Sequence, residues 1–347
     1  MAKLGHNVIY IPIPVTPFHL IKLKRSNTRI RNSGKLIEVQ KNLSQFIPQT
    51  FIPTGELTSS SGYDLAFINF SKKIKSIMKA KNIKQFDLIF MDHPKLFGIT
   101  HLVSYKKLIY RPTDILTGIG LRGIKKCEKL ALDNAHGLIT TSKPVFEHLK
   151  SNFNINIPHL TLVNGVDLEL FTAPAPPPDD IKTISGKKCI YVGAFDDRFD
   201  FEGTLQIIKD NSDINFILIG PFPSSKMEEF KQFNNAYILG ARDFSKIPAY
   251  MQACDVSIMP FSDAPSNEGR SPMKLYEFLA AGIPVVSRYT DEINRRSHSR
   301  IFTYNNIPEA STKLREALKL EKCSSASEHL SWKSITREAL GFAIALK

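Results

Sequence analysis

The sequence predicts an α/β protein built from two doubly wound β/α/β domains. Three observations carry that expectation. The second half alternates short apolar runs with helix-length segments. The first half does the same less cleanly. The length, 347 residues, fits two domains of ordinary size at about 150 residues each. A composition 42% hydrophobic and 23% charged sits near the globular average, which excludes wholesale disorder, collagen-like repeats and coiled coils. No apolar run approaches the ~20 residues that cross a bilayer.

The elements follow in chain order. The opening, MAKLGHNVIYI, reads as the last turn of a helix, a glycine cap and a strand. A domain of this class normally opens on strand, turn and helix, so one β-α unit of roughly 30 residues is expected to be missing ahead of it. Strands are expected at VIYIPIP (8–14), LIFMDHP (88–94), KLIYRPTDI (107–115) and GLITTS (137–142). Residues 15–62 are polar and basic without periodicity and read as a long irregular excursion. RGIKKCEKLALDNA and KPVFEHLKSNF read as helices, the second with Ser142 as N-cap and Pro144 in its first turn. TAPAPPPDD (172–180) is proline-dense and reads as a semi-rigid spacer.

Beyond it, strands are expected at 189–195, 215–221, 236–240, 256–261, 283–288 and 300–304. The helix-length segments between them predict a parallel sheet covered on both faces. WKSITREALGFAIAL, capped by Ser331, reads as a final helix. The expected division is thus a first domain over 1–171, a linker over 172–182, a second domain over 183–330 and a C-terminal helix over 331–347.

Charge divides the chain sharply. Residues 1–172 hold 24 Lys+Arg against 11 Asp+Glu, and residues 173–347 hold 22 of each, so the whole net charge of +13 lies in the first half. Such a block implies an anionic partner for that half, a lipid surface, nucleic acid or phosphorylated ligand. The basic stretch Lys22, Lys24, Arg25, Arg29 and Arg31, with Phe18, Leu20 and Leu23 among or near it, is the candidate membrane-touching patch. The four cysteines, Cys127, Cys189, Cys254 and Cys323, are far apart and form neither a zinc motif nor a disulfide framework, which points to a reducing cytoplasm.

The segment richest in chemistry is NEGRSPMKLYEFLAAGIPVVS (267–287). A loop leads into a helix expected to open at Ser271-Pro272 as an N-cap and N1 pair. Lys274 and Glu277 fall on one face of its first turns. Free N–H groups and a lysine there suit a phosphate, and a carboxylate one turn on can accept two ribose hydroxyls.

Those residues resemble the nucleotide-sugar signature of GT-B glycosyltransferases, in which a glutamate precedes a small apolar helix end, a glycine and P-V-V. P-M-K-L-Y-E-F-L-A-A-G is most similar to bacterial polysaccharide glycosyltransferases, among them the membrane-associated glucuronosyltransferase of xanthan assembly and teichuronic-acid transferases. The resemblance implies two Rossmann-like domains facing across a cleft and a UDP-sugar donor. It places Met273 and Lys274 against the UDP moiety and Glu277 against the ribose. One departure is the interval from Glu268 to Glu277, nine residues where common retaining relatives have eight, so no role transfers to Glu268.

Other segments fill out the expected site. In YVGAFDDRFDFE (191–202), Gly193 permits close backbone approach to a diphosphate and Arg198 can neutralise its charge. Arg270 and Arg198 are both candidates for reading a phosphate or a sugar carboxylate. Asp196 and Asp197 lack a third ligand, so no metal site is expected. In YRPTDIL, Asp114 sits at a strand end and is the candidate base for an inverting transfer, with Asp92 and His93 as competitors. Asn164 and Gly165 of NGVD read as turn formers marking a domain boundary. Gly118, Gly120 and Gly123 fit a dinucleotide loop in spacing only.

The expected activity is an inverting, metal-independent transfer of a sugar from a UDP-sugar to a lipid-linked or polysaccharide-precursor acceptor. Glucuronate as the donor sugar is implied by the resemblance alone. No cofactor is expected. Cell-surface polysaccharide synthesis on the inner face of the plasma membrane is the expected setting, with the protein cytoplasmic and peripheral. A sugar-nucleotide epimerase of the same fold is the alternative. A non-enzymatic nucleic-acid binder is disfavoured, because the Phe and Tyr residues sit mainly in strand-like runs and are not interleaved with the basic ones.

Overall fold

The computed structural model describes residues 1–16, 27–50, 68–116 and 123–347. They divide into two compact units. One comprises Met1–Thr141, Val145–Leu162 and Thr336–Lys347; the other comprises Ser142–Pro144 and Val163–Ile335.

In the first unit, β1 (Val8–Tyr10), β2 (Leu36–Gln40) and β3 (Leu43–Phe46) form a sheet of order β1-β3-β2, with β3 parallel to β1 and antiparallel to β2. Ahead of β1, Ala2–Leu4 make one 3-10 turn closed by Gly5 at φ 90°, the local conformation its sequence implies. The β2-β3 hairpin falls in a stretch that reads as irregular. Its turn, Lys41-Asn42, is made by Asn42 at φ 64°, a residue that tolerates the left-handed region. β2 buries no residue fully, so its alternation leaves little trace in the sequence. Of the basic patch, Lys22, Lys24 and Arg25, with Phe18, Leu20 and Leu23, lie outside the described residues, as do Gly118 and Gly120. Arg29 and Arg31 lie on the short helix Thr28–Arg31, capped by the Asn27 side chain.

The helix α1 (Ile68–Ala80) leads to a second, fully parallel sheet. Its strands are β4 (Phe86–Met91), β5 (Tyr105–Tyr110), β6 (Gly137–Thr140) and β7 (His159–Thr161), in that spatial order. The helices α2 (Ile124–Asn134) and α3 (Lys143–Asn152) connect the later strands. The C-terminal helix, Trp332–Ala345, is capped by Ser331, whose Oγ accepts from Ser334 N at 3.1 Å. Its far end is held in the first unit by Lys107, whose Nζ donates to Ala343 O at 3.2 Å and Ile344 O at 3.0 Å. A cation at a helix C-terminus is well placed to satisfy the last carbonyls. Among the described residues no helix is long and apolar enough to cross a membrane.

One buried acid in this unit gives a clear expectation. Glu128, on α2, is 1% exposed. Its Oε1 accepts the Tyr110 hydroxyl at 3.2 Å, and its Oε2 has no partner among the described residues. Burial pushes its carboxyl up to about 7, the Tyr110 hydrogen bond opposing only in part. An acid raised on folding keeps its proton where the unfolded chain has lost it. The stability this gives is complete below the ordinary glutamate value and is lost as pH rises to about 7. The whole change is about 3 kcal/mol. Glu128→Gln, neutral at every pH, is therefore expected to match the wild type within about 1 kcal/mol at pH 5 and exceed it by about 2 kcal/mol at pH 8, read from urea unfolding.

The second unit holds β8 (Lys187–Val192), β9 (Ile214–Ile219), β10 (Ala236–Gly240), β11 (Val256–Met259), β12 (Val285–Arg288) and β13 (Ile301–Tyr304), all parallel, in the order β10-β9-β8-β11-β12-β13. Numbered from its own first strand this is 3-2-1-4-5-6, the doubly wound order. Among its helices are α4 (Phe201–Asp210), α5 (Ser224–Lys231), α6 (Met273–Ala280), α7 (Asp291–Asn294) and α8 (Ile307–Ala317). Alternate strand residues enter separate cores on the two faces. Cys189, Phe216 and Leu218 go to one, Ile190, Ile217 and Ile219 to the other. Each such side chain contributes about 1.5–3 kcal/mol by leaving water, which is why these strands are legible as plain apolar runs.

The proline-rich segment is not a spacer between the units. Phe171 and Ile181, on either side of it, are 0% and 1% exposed in the second unit's core. Ala175 N donates to Gln252 Oε1 at 3.0 Å. The chain instead passes between units at Leu162/Val163 and returns at Ile335/Thr336, inside what reads as one terminal helix. Proline density records an extended backbone; here that backbone is pinned to a surface.

Candidate functional site

In a doubly wound sheet the connections leave strands 1 and 4 in opposite directions, which opens a crevice beyond their carboxyl ends. Those strands are β8 and β11, paired through Val256 with Cys189 and Ser257 with Ile190. A pocket lies there, with Gly193, Asp196, Arg198, Arg270, Lys274 and Phe278 in its wall.

The loop after β8 is shaped by Gly193. A Cβ at this position would lie 2.6 Å from Tyr191 Oη, which itself donates to Ala194 O at 2.8 Å. Burial pushes the Tyr191 phenol well up, so it stays a neutral donor. Asp196 accepts from Arg198 N at 3.1 Å and Nε at 2.9 Å, and from Nη2 through its second oxygen. The Arg198 hydrogen bond holds the Asp196 carboxyl below its usual range, and the Arg270 charge adds to this. The backbone of Arg198 is tied to the loop after β11. Its carbonyl accepts from Ser262 N at 2.9 Å and from Asn267 Nδ2 at 3.0 Å.

The helix α6 starts one residue later than the sequence implies. Its N-cap position is Pro272, and no side chain caps its first N–H groups. Ser271, expected as the cap, is used elsewhere. Its Oγ accepts from Asn164 N at 3.3 Å, and Asn164 Nδ2 donates to Ser271 O at 3.0 Å. Ser142 Oγ donates to Gly269 O at 2.7 Å. Residues far away in sequence thus fix the loop that carries Arg270 into the uncapped helix. The sequence marks Asn164 only as a turn former, and nothing in it signals a contact 107 residues away.

Lys274 forms an ion pair with Glu277, with the lysine side chain 30% and the glutamate 6% exposed. The Lys274 ammonium also lies 5.6 Å from the Phe244 ring centroid. Glu277 is paired to Lys274 and is not among the residues of the pocket wall. Met273 is 45% exposed and does not line the pocket. Glu268 is exposed. Of the expected donor residues, the structure therefore gathers Gly193, Arg198, Arg270 and Lys274 around one pocket, sets Glu277 beside it and leaves Met273 outside. A second depression, lined by Asn294, Ser297, His298 and Thr303 among others, contains one titratable side chain and no cluster of charge. Among the described residues no three His, Cys, Asp or Glu are placed to hold a metal ion.

In the first unit, Asp92 follows β4, and Arg111 and Asp114 follow the adjacent β5. Arg111 Nη1 lies 3.6 Å from Asp92 Oδ1, the aspartate side chain being 59% exposed. Asp114 is half-buried, and its Oδ2 accepts from Thr113 Oγ1 at 3.0 Å. His93 Nδ1 accepts from Lys95 N at 3.2 Å as the cap of the helix that follows.

Two Rossmann-like units, the second with a cationic pocket at its switch point, define the GT-B class. Comparison with known proteins agrees. Residues 186–319 match the family described as glycosyl transferases group 1. Over 224 residues the chain is 25% identical to a protein of Bacillus subtilis (strain 168) described as a teichuronic acid biosynthesis glycosyltransferase, TuaH, covering 59% of this chain and 56% of that one. The chain thus spans about half the length of this curated relative. In fold it is similar to sucrose-phosphate synthase from Thermosynechococcus elongatus (TM-score 0.71, 15% identity, 98% of this chain and 89% of that one). It is similar too to Anabaena HepE, solved with UDP and glucose (TM-score 0.63, 17% identity, 86% and 87%). The resemblance to GT-B bacterial polysaccharide glycosyltransferases, read from the signature helix, is borne out.

Proposed function

We propose that this chain transfers a sugar from a UDP-sugar to a lipid-linked or polysaccharide-precursor acceptor, in the synthesis of a cell-surface polysaccharide. The observation that carries the reading is the pocket at the β8-β11 switch point. There an uncapped helix start and three cations, Arg198, Arg270 and Lys274, converge where a doubly wound sheet binds nucleotides. The Anabaena neighbour with UDP bound and the teichuronic-acid relative support the donor and the setting.

The chemistry follows from charge. Displacement at the anomeric carbon forms a bond to the acceptor oxygen and breaks the bond to the diphosphate, which leaves carrying the electron pair. Lys274, Arg270 and the first N–H groups of α6 stabilise that developing charge. They are the groups that make transfer without a metal feasible. Glu277 would accept the ribose hydroxyls from its place beside Lys274. Asp114 would take the acceptor proton in an inverting reaction, with Asp92 the competitor. A glucuronyl donor fits a pocket with two arginines. The basic first half would hold the protein on the inner face of an anionic membrane, each Lys or Arg near the surface contributing about 1 kcal/mol.

Thermal unfolding of the purified chain with millimolar UDP, GDP, ADP or NAD tests the reading. A ligand at 100 times its Kd adds about 2.7 kcal/mol. The expected result is a rise in Tm of a few degrees with UDP alone. A rise with NAD alone, or none with any nucleotide, rejects it.

A further inference from the structure

The pocket contains one feature that a plain phosphate site would not. Among the described residues that line it, three are cationic and one, Asp196, is acidic. The acid is paired with one of the cations. It takes the Arg198 guanidinium through two hydrogen bonds, from Nε and Nη2, one to each carboxylate oxygen, and the Arg270 charge also acts on it. This paired geometry is the one by which a guanidinium grips a phosphate. Resting on the donor-site reading above, we propose that Asp196 is a stand-in for a nucleotide phosphate. Its carboxylate occupies Arg198 in the empty protein, and a diphosphate binds by taking Arg198 from it.

The structure permits that exchange. The Arg198 and Asp196 side chains are 35% and 37% exposed, so the pair is open to the pocket and weak enough to yield. The backbone of Arg198 is held separately, by Ser262 N at 2.9 Å and Asn267 Nδ2 at 3.0 Å. Losing the carboxylate contact therefore leaves the loop in place while the guanidinium turns. A ligand must offer Arg198 more than Asp196 does. In this proposal a first phosphate is held at the start of α6 by Lys274, and a second phosphate is the group that competes with Asp196 for Arg198. Asp196 thus makes the site selective for a diphosphate over a monophosphate, and it eases departure of the UDP product.

The test is calorimetric titration of UDP and UMP into the wild type, Asp196→Asn, Arg198→Ala and the double variant. Asparagine keeps an oxygen for the Arg198 N–H, and circular dichroism checks that each variant is folded. Asp196→Asn is expected to bind UDP about tenfold more tightly and UMP less than about twofold more tightly. In the Arg198→Ala background the same change is expected to alter UDP affinity less than about threefold. Unchanged or weaker UDP binding by Asp196→Asn makes Asp196 a brace for Arg198 and overturns the proposal. Equal gains for UDP and UMP make it a general negative field and overturn it too. A wild type that binds neither nucleotide at millimolar concentration removes the donor-site reading itself, a result separable from the other two.

Discussion

Lys274→Ala is expected to abolish the rise in Tm with UDP and to lower kcat/KM by about 10²–10³-fold. Lys274 is the cation nearest the start of α6 and the one whose charge can follow the leaving diphosphate. The same substitution has a second effect, because Glu277 is 5% exposed and paired to Lys274. Removing the lysine strands a nearly buried carboxylate, at a cost of about 1–3 kcal/mol without any ligand. A lost nucleotide response could then reflect a damaged helix. The double variant Lys274→Ala/Glu277→Gln separates the two causes. It is expected to recover most of the stability, since a neutral amide needs no counter-charge, while still showing no UDP response. Recovery of both would mean that Lys274 serves only to neutralise Glu277. Urea unfolding and the nucleotide thermal shift, run on the three proteins, decide between them.

Much of the second unit is legible from sequence because burial on both sheet faces leaves apolar runs such as Phe216–Ile219 and Ile258–Phe261. The first unit is less so. β2 presents no fully buried residue, and the Lys41-Asn42 turn lacks the glycine that usually announces a hairpin. The domain boundary misleads for another reason. A run of prolines specifies an extended backbone and is silent on what that backbone touches, here Gln252 through Ala175. For the site, helical spacing puts Lys274 and Glu277 on one face, and the resemblance to nucleotide-sugar transferases is what singles them out together with Arg198. What the sequence could not show is pairing. Asp196 reads only as one of two adjacent acids without a third ligand, and the structure makes it the partner of Arg198. Ser271 reads as a cap and instead meets Asn164. The first is a local loop contact that composition does not announce, and the second depends on residues 107 apart in sequence.

Gly220→Ala is the other substitution expected to have a large effect, and it acts without touching a charged group. Gly220 follows β9 at φ 150°, where its N–H donates to Gly240 O at 3.1 Å. The neighbouring Gly193 N donates to Ile219 O at 3.0 Å. A Cβ on Gly220 would stand 1.8 Å from Gly193 O and 2.9 Å from Gly193 C. Both are backbone atoms of a pocket-lining residue, so no side-chain rotation relieves the overlap. Relief requires the end of β9 and the loop after β8 to move apart by an ångström or so, which breaks ladder bonds and displaces the Arg198 loop. The expected result is a loss of about 3 kcal/mol or more in unfolding free energy, together with a UDP affinity at least about tenfold weaker. Gly240→Ala is the control. Gly240 also has a positive φ, 71°, but a Cβ there meets nothing within 4 Å. It carries the backbone strain alone, about 1–2 kcal/mol, and is expected to keep the full UDP response. Equal losses in the two variants would assign the effect to strain. A larger loss confined to Gly220→Ala, with weakened UDP binding, assigns it to contact between two strand ends that must meet closely for the switch-point pocket to exist.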